Sequence, residues 1–373
     1  MQFITDLVVA ALMAYLAFTN YLAVQVSTLL GEETYEAGEV ITDEDSETGD
    51  TNEAETEETS ALTPLTSIFA KIPDILLRSA EYQRATIVES IAPTATTSDP
   101  LLALVNIYCT FTNDRTIRTT TGTGFIVSDR GVILTNAHVA QFLLLETTDA
   151  LGESTCTVRN GSPAAARYEA ELLYIPPAWV EEHAALIDAD SPSGTGERDY
   201  ALLHITKSID SAPLPARFPA LALRTEPLTA RAIRGTVTAL GYPALYAEGD
   251  TATNLRSRTA TTSISELFTF GSTEVDVLAL RGSSMGQQGA SGGPVINEDG
   301  YVIGMIATRG NDAKDGEGSL RAISIDHINR TITEETNNSI EKHLAGDIES
   351  RASVFTRTMT PFLAGLLAQE VSE

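Results

Sequence analysis

Cysteine is almost missing from this chain: 373 residues contain two, Cys109 and Cys156. Neither belongs to a Cys-x-x-Cys pair and neither is grouped with histidine, which excludes a zinc-finger framework and a disulfide-rich scaffold. One disulfide, if the chain is exported, and two buried thiols both remain open. Basic residues are scarce too. Lys and Arg number 24 against 51 Asp and Glu, for a formal net charge of −27. Without basic surface to neutralise phosphate, nucleic acid is not an expected partner. No His or Cys cluster has metal-ligand spacing, so neither a metal nor another cofactor is expected.

The acidity is uneven. Residues 32–58 hold thirteen acidic residues and no Lys or Arg. Such a run repels itself and stays solvated, and 32–60 reads as a disordered linker. Before it lies a 24-residue stretch without charge, 7–30, containing Val8, Val9, Leu12, Leu16, Phe18, Leu22, Val24 and Leu29. At about 1.5 Å per residue it can span a bilayer. Its N-terminal flank has no Lys or Arg and no small-x-small cleavage site stands out, which favours a transmembrane anchor over a cleaved signal in 1–31. The acidic run lacks the positive charge that retains a segment in the cytoplasm. The rest of the chain is therefore expected outside the cytoplasm, periplasmic or extracellular, with the membrane as a partner through the N-terminal helix.

Residues 61–99 carry a helical pattern, Leu65, Ile68, Phe69, Ile72, Ile75 and Leu76, interrupted by Pro73. After Pro100 the pattern changes to short apolar and β-branched runs punctuated by Gly, Asp, Asn and Ser. They are 104–111, 124–127, 132–135, 155–159, 201–205, 237–240, 275–280, 295–296 and 301–307. Many short strands with turn signals point to an all-β sandwich or barrel. From about Asp326 the pattern returns to helix, with a further helical stretch over 352–369.

Three short segments can carry chemistry. In Gly289-Ala290-Ser291-Gly292-Gly293-Pro294 a serine sits among residues small enough to expose its hydroxyl, with backbone N–H groups free to face an oxyanion. In Val132-Ile133-Leu134-Thr135-Asn136-Ala137-His138 a buried strand delivers a histidine, which titrates near neutrality and can take a serine's proton. In Asp199-Tyr200-Ala201-Leu202-Leu203 an acid opens an apolar strand, where it can hold an imidazole in one tautomer. Of the other histidines, His204 reads as core, and His183, His327 and His343 as surface residues.

The three segments in this order resemble the trypsin-like serine proteases, especially the HtrA/Deg type. Gly122-Thr123-Gly124-Phe125-Ile126-Val127 followed by Leu134-Thr135-Asn136-Ala137-His138-Val139 is similar to the histidine region. Asp199-Tyr200-Ala201-Leu202-Leu203 is similar to the aspartate strand, and Gly289-Ala290-Ser291-Gly292-Gly293-Pro294-Val295 with Tyr301-Val302-Ile303-Gly304-Met305-Ile306 to the serine loop and the strand after it. The resemblance covers about 100–330. It implies two six-stranded antiparallel β-barrels, 100–215 and 216–325, followed by C-terminal helices over 326–373. It implies His138 as base, Asp199 as its orienter, Ser291 as nucleophile, and the amides of Gly289 and Ser291 as oxyanion hole. Cys109 and Cys156 would both fall on first-barrel strands, where a disulfide is geometrically possible.

The chain departs from the family pattern in three places. Ala290 replaces the Asp or Asn that usually precedes the serine. The approach Ser283-Ser284-Met285-Gly286-Gln287-Gln288 has no acid, so a substrate pocket built from it would favour small or medium apolar side chains over Arg or Lys. The tail after the last barrel strand is too short for the PDZ domain that HtrA members usually carry. Gly-x-Ser-x-Gly at 289–293 also matches the nucleophile elbow of α/β-hydrolases, with His327 or His343 as base. That elbow must open a helix, whereas Pro294-Val295-Ile296 reads as strand. The expected activity is therefore serine endopeptidase on protein or peptide substrates. The rival from another class is a catalytically inactive protease-fold scaffold. If 7–30 anchors the chain, alkaline carbonate extraction of membranes leaves full-length protein in the pellet, and release into the supernatant refutes the anchor.

Overall fold

The computed structural model describes residues 95–112, 117–146, 152–188, 196–244, 254–271 and 273–372. The anchor expected over 1–31, the linker over 32–60 and nearly all of the helical segment over 61–99 lie outside the described residues. Among the described residues no helix is long and apolar enough to cross a membrane.

Strands β1 (Leu104–Thr112), β2 (Ile117–Ser128), β3 (Val132–Thr135), β4 (Glu153–Asn160), β5 (Ala165–Tyr174) and β6 (Ala201–Ser208) close into one barrel in the order β1-β2-β3-β6-β5-β4. Strands β7 (Thr236–Gly241), β8 (Arg258–Phe268), β9 (Val277–Leu280), β10 (Pro294–Asn297), β11 (Val302–Arg309) and β12 (Leu320–Ser324) close a second in the order β10-β11-β12-β9-β8-β7. Every neighbouring pair is antiparallel. Closure removes the unpaired edges that short strands would otherwise expose. The nine sequence-expected runs all fall on strands, and β5, β8 and β12 are additional. Strand β5 is rich in Ala and Glu, and β8 in Thr and Ser on a half-exposed face, so neither shows the apolar alternation that marks a strand. Ladder pairing on both sides, not intrinsic preference, holds them extended.

Cys109 and Cys156 face each other in the β1–β4 register and are joined as a disulfide. It closes a loop across a sequence separation of 47 residues, for which the chain-entropy estimate is about 4 kcal/mol. Beside it the Glu146 carboxylate accepts from the Cys156 N–H. Burial pushes that carboxyl up to about 7 against the lowering effect of the Cys156 N–H, and Glu169 and Glu171 add to the rise.

Helical turn α1 (Pro100–Ala103) precedes β1, and α2 (Ala137–Ala140), α3 (Phe142–Leu145), α4 (Pro177–His183) and α5 (Asp312–Asp315) sit between strands. Four helices end the chain: α6 (Ile325–Thr336), α7 (Ile340–His343), α8 (Ile348–Thr358) and α9 (Thr360–Ser372). Ser324 caps α6, its Oγ accepting from the His327 N–H at 3.0 Å, and Ile325, Ile328 and Ile332 form its buried stripe. Helix α8 packs on β5 and β6, and α9 on α3, α4 and the 3-10 turn Ala184–Asp188. The chain therefore leaves the second barrel and finishes on the first. Arg351 of α8, fully buried, donates to the carbonyls of Lys342 (2.7 Å), His343 (2.9 Å) and Ala345, satisfying the open end of α7.

His327 and His343, expected at the surface, are both buried, because α6 and α7 are covered rather than solvated. His343 Nε2 lies 3.0 Å from Thr336 Oγ1, whose own proton goes to the Ile332 carbonyl at 2.6 Å. The imidazole must then donate through Nε2–H, leaving Nδ1 unprotonated, and among the described residues Nδ1 has no hydrogen-bond partner. Burial, and secondarily the Arg351 charge, press this histidine down from 6.5 to about 3. The folded state therefore resists a proton that the unfolded chain accepts below about pH 6.5. His343 contributes its full stability above that pH and loses it as pH falls toward 3. Thermal melts should show Tm declining across that window, and His343→Gln should flatten the decline.

Candidate active site

His138 is the second residue of α2, the turn that follows β3. Asp199 lies two residues before β6, which pairs with β3 so that Thr135 faces Ala201. Adjacent strand ends thus bring His138 and Asp199 together. The carboxylate is fully buried, and both of its oxygens are occupied. Oδ1 accepts the His138 backbone N–H at 3.0 Å, and Oδ2 stands 2.8 Å from His138 Nδ1. An ionised carboxylate only accepts, so Nδ1 carries the proton and the Nε2 lone pair is left available. Asn136 Nδ2 donates to the Asp199 backbone carbonyl at 2.8 Å, fixing the residue from behind.

The segment around Asp199 is gripped by α6. Arg198 sits in the left-handed region at φ 54° and forms an ion pair with Glu335 at 2.9 Å. The other oxygen of Glu335 accepts from the Tyr174 hydroxyl. Burial raises the Glu335 carboxyl above its usual range despite Tyr174 and Arg198. On the far side of Asp199, the Tyr200 hydroxyl accepts from Thr331 Oγ1 at 3.1 Å and its ring stacks on Tyr174.

Ser291 lies in the loop between β9 and β10 of the second barrel. Its carbonyl accepts the Thr123 N–H of β2 at 2.8 Å, so the loop is fastened to the first barrel. The Gly292 N–H donates to the Ile306 carbonyl, and the Ile306 N–H returns to Gly293, each at 2.8 Å. Gly292 has φ +85°, and a Cβ there would lie 1.9 Å from the Thr123 carbonyl oxygen, so no other residue fits. The Ser291 hydroxyl donates to the Ala307 carbonyl at 3.4 Å and makes no hydrogen bond to His138. The Gly289 and Ser291 amides have no protein acceptor among the described residues. Strand β10 follows the serine, so the helix required by a nucleophile elbow is not there.

A second His–Asp pair escaped the sequence reading. His327 Nδ1 is 2.9 Å from Asp276 Oδ1, and both are buried. Burial raises the Asp276 carboxyl, but the Phe270 N–H, Arg330 and His327 outweigh it and leave it below the usual range. Burial holds His327 below its ordinary value, against the pull of Asp276. With Arg330 also bonded to Asp276, this pair ties the start of β9 to α6. Its signal was an acid before a strand, as for Asp199, without any pattern marking the partner. Among the described residues no group of three or more His, Cys, Asp or Glu side chains could hold a metal ion.

The grip of α6 on 198–200 is testable by exchange. Glu335→Ala leaves Arg198 and the Tyr174 hydroxyl without their carboxylate. Amide hydrogen exchange over 198–201 should accelerate by about tenfold, roughly the value of one charge-assisted contact. Unchanged protection would show that Thr331 and packing suffice.

No curated protein matches the chain. Among solved structures, the Rv3671c protease from M. tuberculosis in its active form matches at 19% identity over 68% of this chain and 93% of that one, with a TM-score of 0.39. A likeness that weak carries no argument about residues. Residues 122–305 match the family described as the trypsin-like peptidase domain. That span begins at Gly122 on β2, ends at Met305 on β11 and includes His138, Asp199 and Ser291; over it, the chain is similar to the trypsin-like peptidases.

Proposed function

We propose that this chain is a serine endopeptidase in which Ser291 is the nucleophile, His138 the general base and Asp199 the group that orients it. The observation that carries the reading is the double engagement of Asp199, through the His138 N–H and Nδ1. It leaves Nε2 as the only imidazole nitrogen able to take a proton. Ser291 Oγ attacks the scissile carbonyl as its proton passes to His138 Nε2. The developing oxyanion is met by the Gly289 and Ser291 amides. His138 returns the proton to the leaving amine, and water then releases the acyl-enzyme by the same route. For this transfer the serine hydroxyl has to leave the Ala307 carbonyl and turn toward His138.

The substrate is a protein or peptide with a small or medium apolar side chain at the cleavage position. The approach 283–288 contains no acid. Asp315, whose neighbour Gly316 packs against Gly282, is buried and paired with Arg321 at 3.1 Å. The uncharged run 7–30 and the acidic run after it support a membrane-tethered, extracytoplasmic enzyme. The serine's bond to Ala307 favours a second reading, a protease-fold scaffold without turnover.

A fluorophosphonate probe separates the two. The enzyme reading expects labelling of the full-length chain that Ser291→Ala and His138→Ala each abolish. Asp199→Asn should lower casein hydrolysis by roughly 10³–10⁴-fold, because the imidazole loses its tautomer. Absence of labelling across pH 5–9 would leave the scaffold.

A further inference from the structure

The residue before Ser291 offers the loop no side-chain anchor. Ala290, next to the serine, is buried against Gly241 and has no polar atom to fix the peptide groups on either side. Yet an oxyanion site works only if the Gly289 and Ser291 amides already point where charge will develop. Besides the Gly293 N–H, which donates to the Ala290 carbonyl at 2.9 Å, two anchors come from outside the loop. The Gln288 carbonyl accepts the Ala244 N–H at 2.7 Å. In a trans peptide the C=O and N–H point oppositely, so this turns the Gly289 N–H away from Ala244. The following peptide is held from the other barrel. Thr123 Oγ1 donates to the Gly289 carbonyl at 2.6 Å and accepts the Tyr242 N–H at 2.9 Å. Thr123 is fully buried, and its hydroxyl has its proton and a lone pair both committed. Its backbone N–H meanwhile holds the Ser291 carbonyl, and its carbonyl accepts from Thr135 Oγ1 at 2.7 Å.

We infer that Thr123 is a positioning residue for the oxyanion loop, its hydroxyl bridging Gly289 and Tyr242 in place of an anchor at position 290. The inference rests on the serine-peptidase reading for its catalytic meaning and on geometry alone for the bridge. Threonine here supplies two separable parts. The methyl fills space, and the hydroxyl spans two backbone groups that belong to different segments of the second barrel. Removing only the hydroxyl leaves a buried carbonyl and a buried N–H without partners. The loop then relaxes, and the amides lose their aim.

The test compares Thr123→Val and Thr123→Ser in the full-length chain, with fluorescein-labelled casein as substrate and Ser291→Ala as blank. Thr123→Val should lower kcat by about 10- to 100-fold, the penalty of misplaced oxyanion donors, with KM within about threefold. Thr123→Ser should stay within about threefold of the parent. Amide exchange over 287–292, measured in the Ser291→Ala background, should rise with Thr123→Val and not with Thr123→Ser. Parental kcat in Thr123→Val overturns the inference, as does equal loss in both variants, which would assign the effect to the methyl. If Thr123→Val does not fold, Thr123→Ser decides: parental kcat and exchange support the bridge, and loss of either overturns it. A parent without Ser291-dependent hydrolysis defeats the peptidase reading, while the exchange comparison still accepts or rejects the bridge.

Discussion

A buried carboxylate with all of its partners in place, Asp199, governs the arrangement around it. Enclosing an ionised carboxylate costs several kcal/mol unless its lone pairs are satisfied. Here the satisfaction comes from one residue, His138, through its backbone N–H and its ring. The first contact fixes where the residue sits and the second fixes how its ring is turned. Neither is available unless β3 and β6 end side by side, which the Thr135–Ala201 register ensures. The acid therefore needs the barrel closed, and the imidazole needs the acid. A carboxamide in its place could still touch Nδ1, but it would present a donor to one side and so permit the opposite tautomer.

The same constraint extends to the second barrel. Residues 198 and 200 flank the acid and both are held by α6, which issues from β12. Thr123 of β2 holds the serine loop in the opposite sense, from first barrel to second. Between them runs the connection, whose amides at Phe218 and Leu221 donate to Asp129 and Ile126 of the first barrel and at Arg224 to Val302 of the second. Backbone amides and short hydroxyls thus couple the barrels alongside the Arg198–Glu335 ion pair. Short hydroxyl and amide bridges lose little rotamer entropy when fixed, so they hold geometry more cheaply than exposed ion pairs. Helices α8 and α9 add burial on the first barrel's outer face, with Arg351 converting the open end of α7 into a satisfied one.

Most of the barrels could be read from sequence because their strands are apolar enough to show. Strand β3, Val-Ile-Leu-Thr, is wholly buried, and its β-branched residues between a Gly turn and Asn136 mark it as strand. Strand β5 could not be read, since Ala-Ala-Arg-Tyr-Glu-Ala-Glu favours helix locally and is overridden by pairing with β4 and β6. The pairing of His138 with Asp199 was legible because each borders an apolar run, whereas the Ser291 hydroxyl bonds to Ala307 instead. Thr123, Asn136 and Glu335 were not legible, since their partners lie 166, 63 and 161 positions away in the chain for Gly289, Asp199 and Tyr174 respectively. The burial of His327 and His343 was misread for the same reason: what covers a short helix is decided by distant segments.

Ala290 illustrates how a gap in a motif becomes informative once neighbours are known. From sequence it reads as a weakened loop. In the fold its small side chain lets the loop backbone come close to Gly241, where a Cβ would stand 3.3 Å from the Ala290 Cα and 3.2 Å from Thr123 Oγ1. Three residues from three segments meet there, with no room for a side chain at 241. Ala290 belongs to the second barrel's apolar cluster, so an acid there would be enclosed among apolar side chains. Enclosing a charge without a partner is costly. Alanine at 290 and a hydroxyl at 123 are thus two sides of one packing solution, in which the anchor has moved from the loop to the strand that faces it.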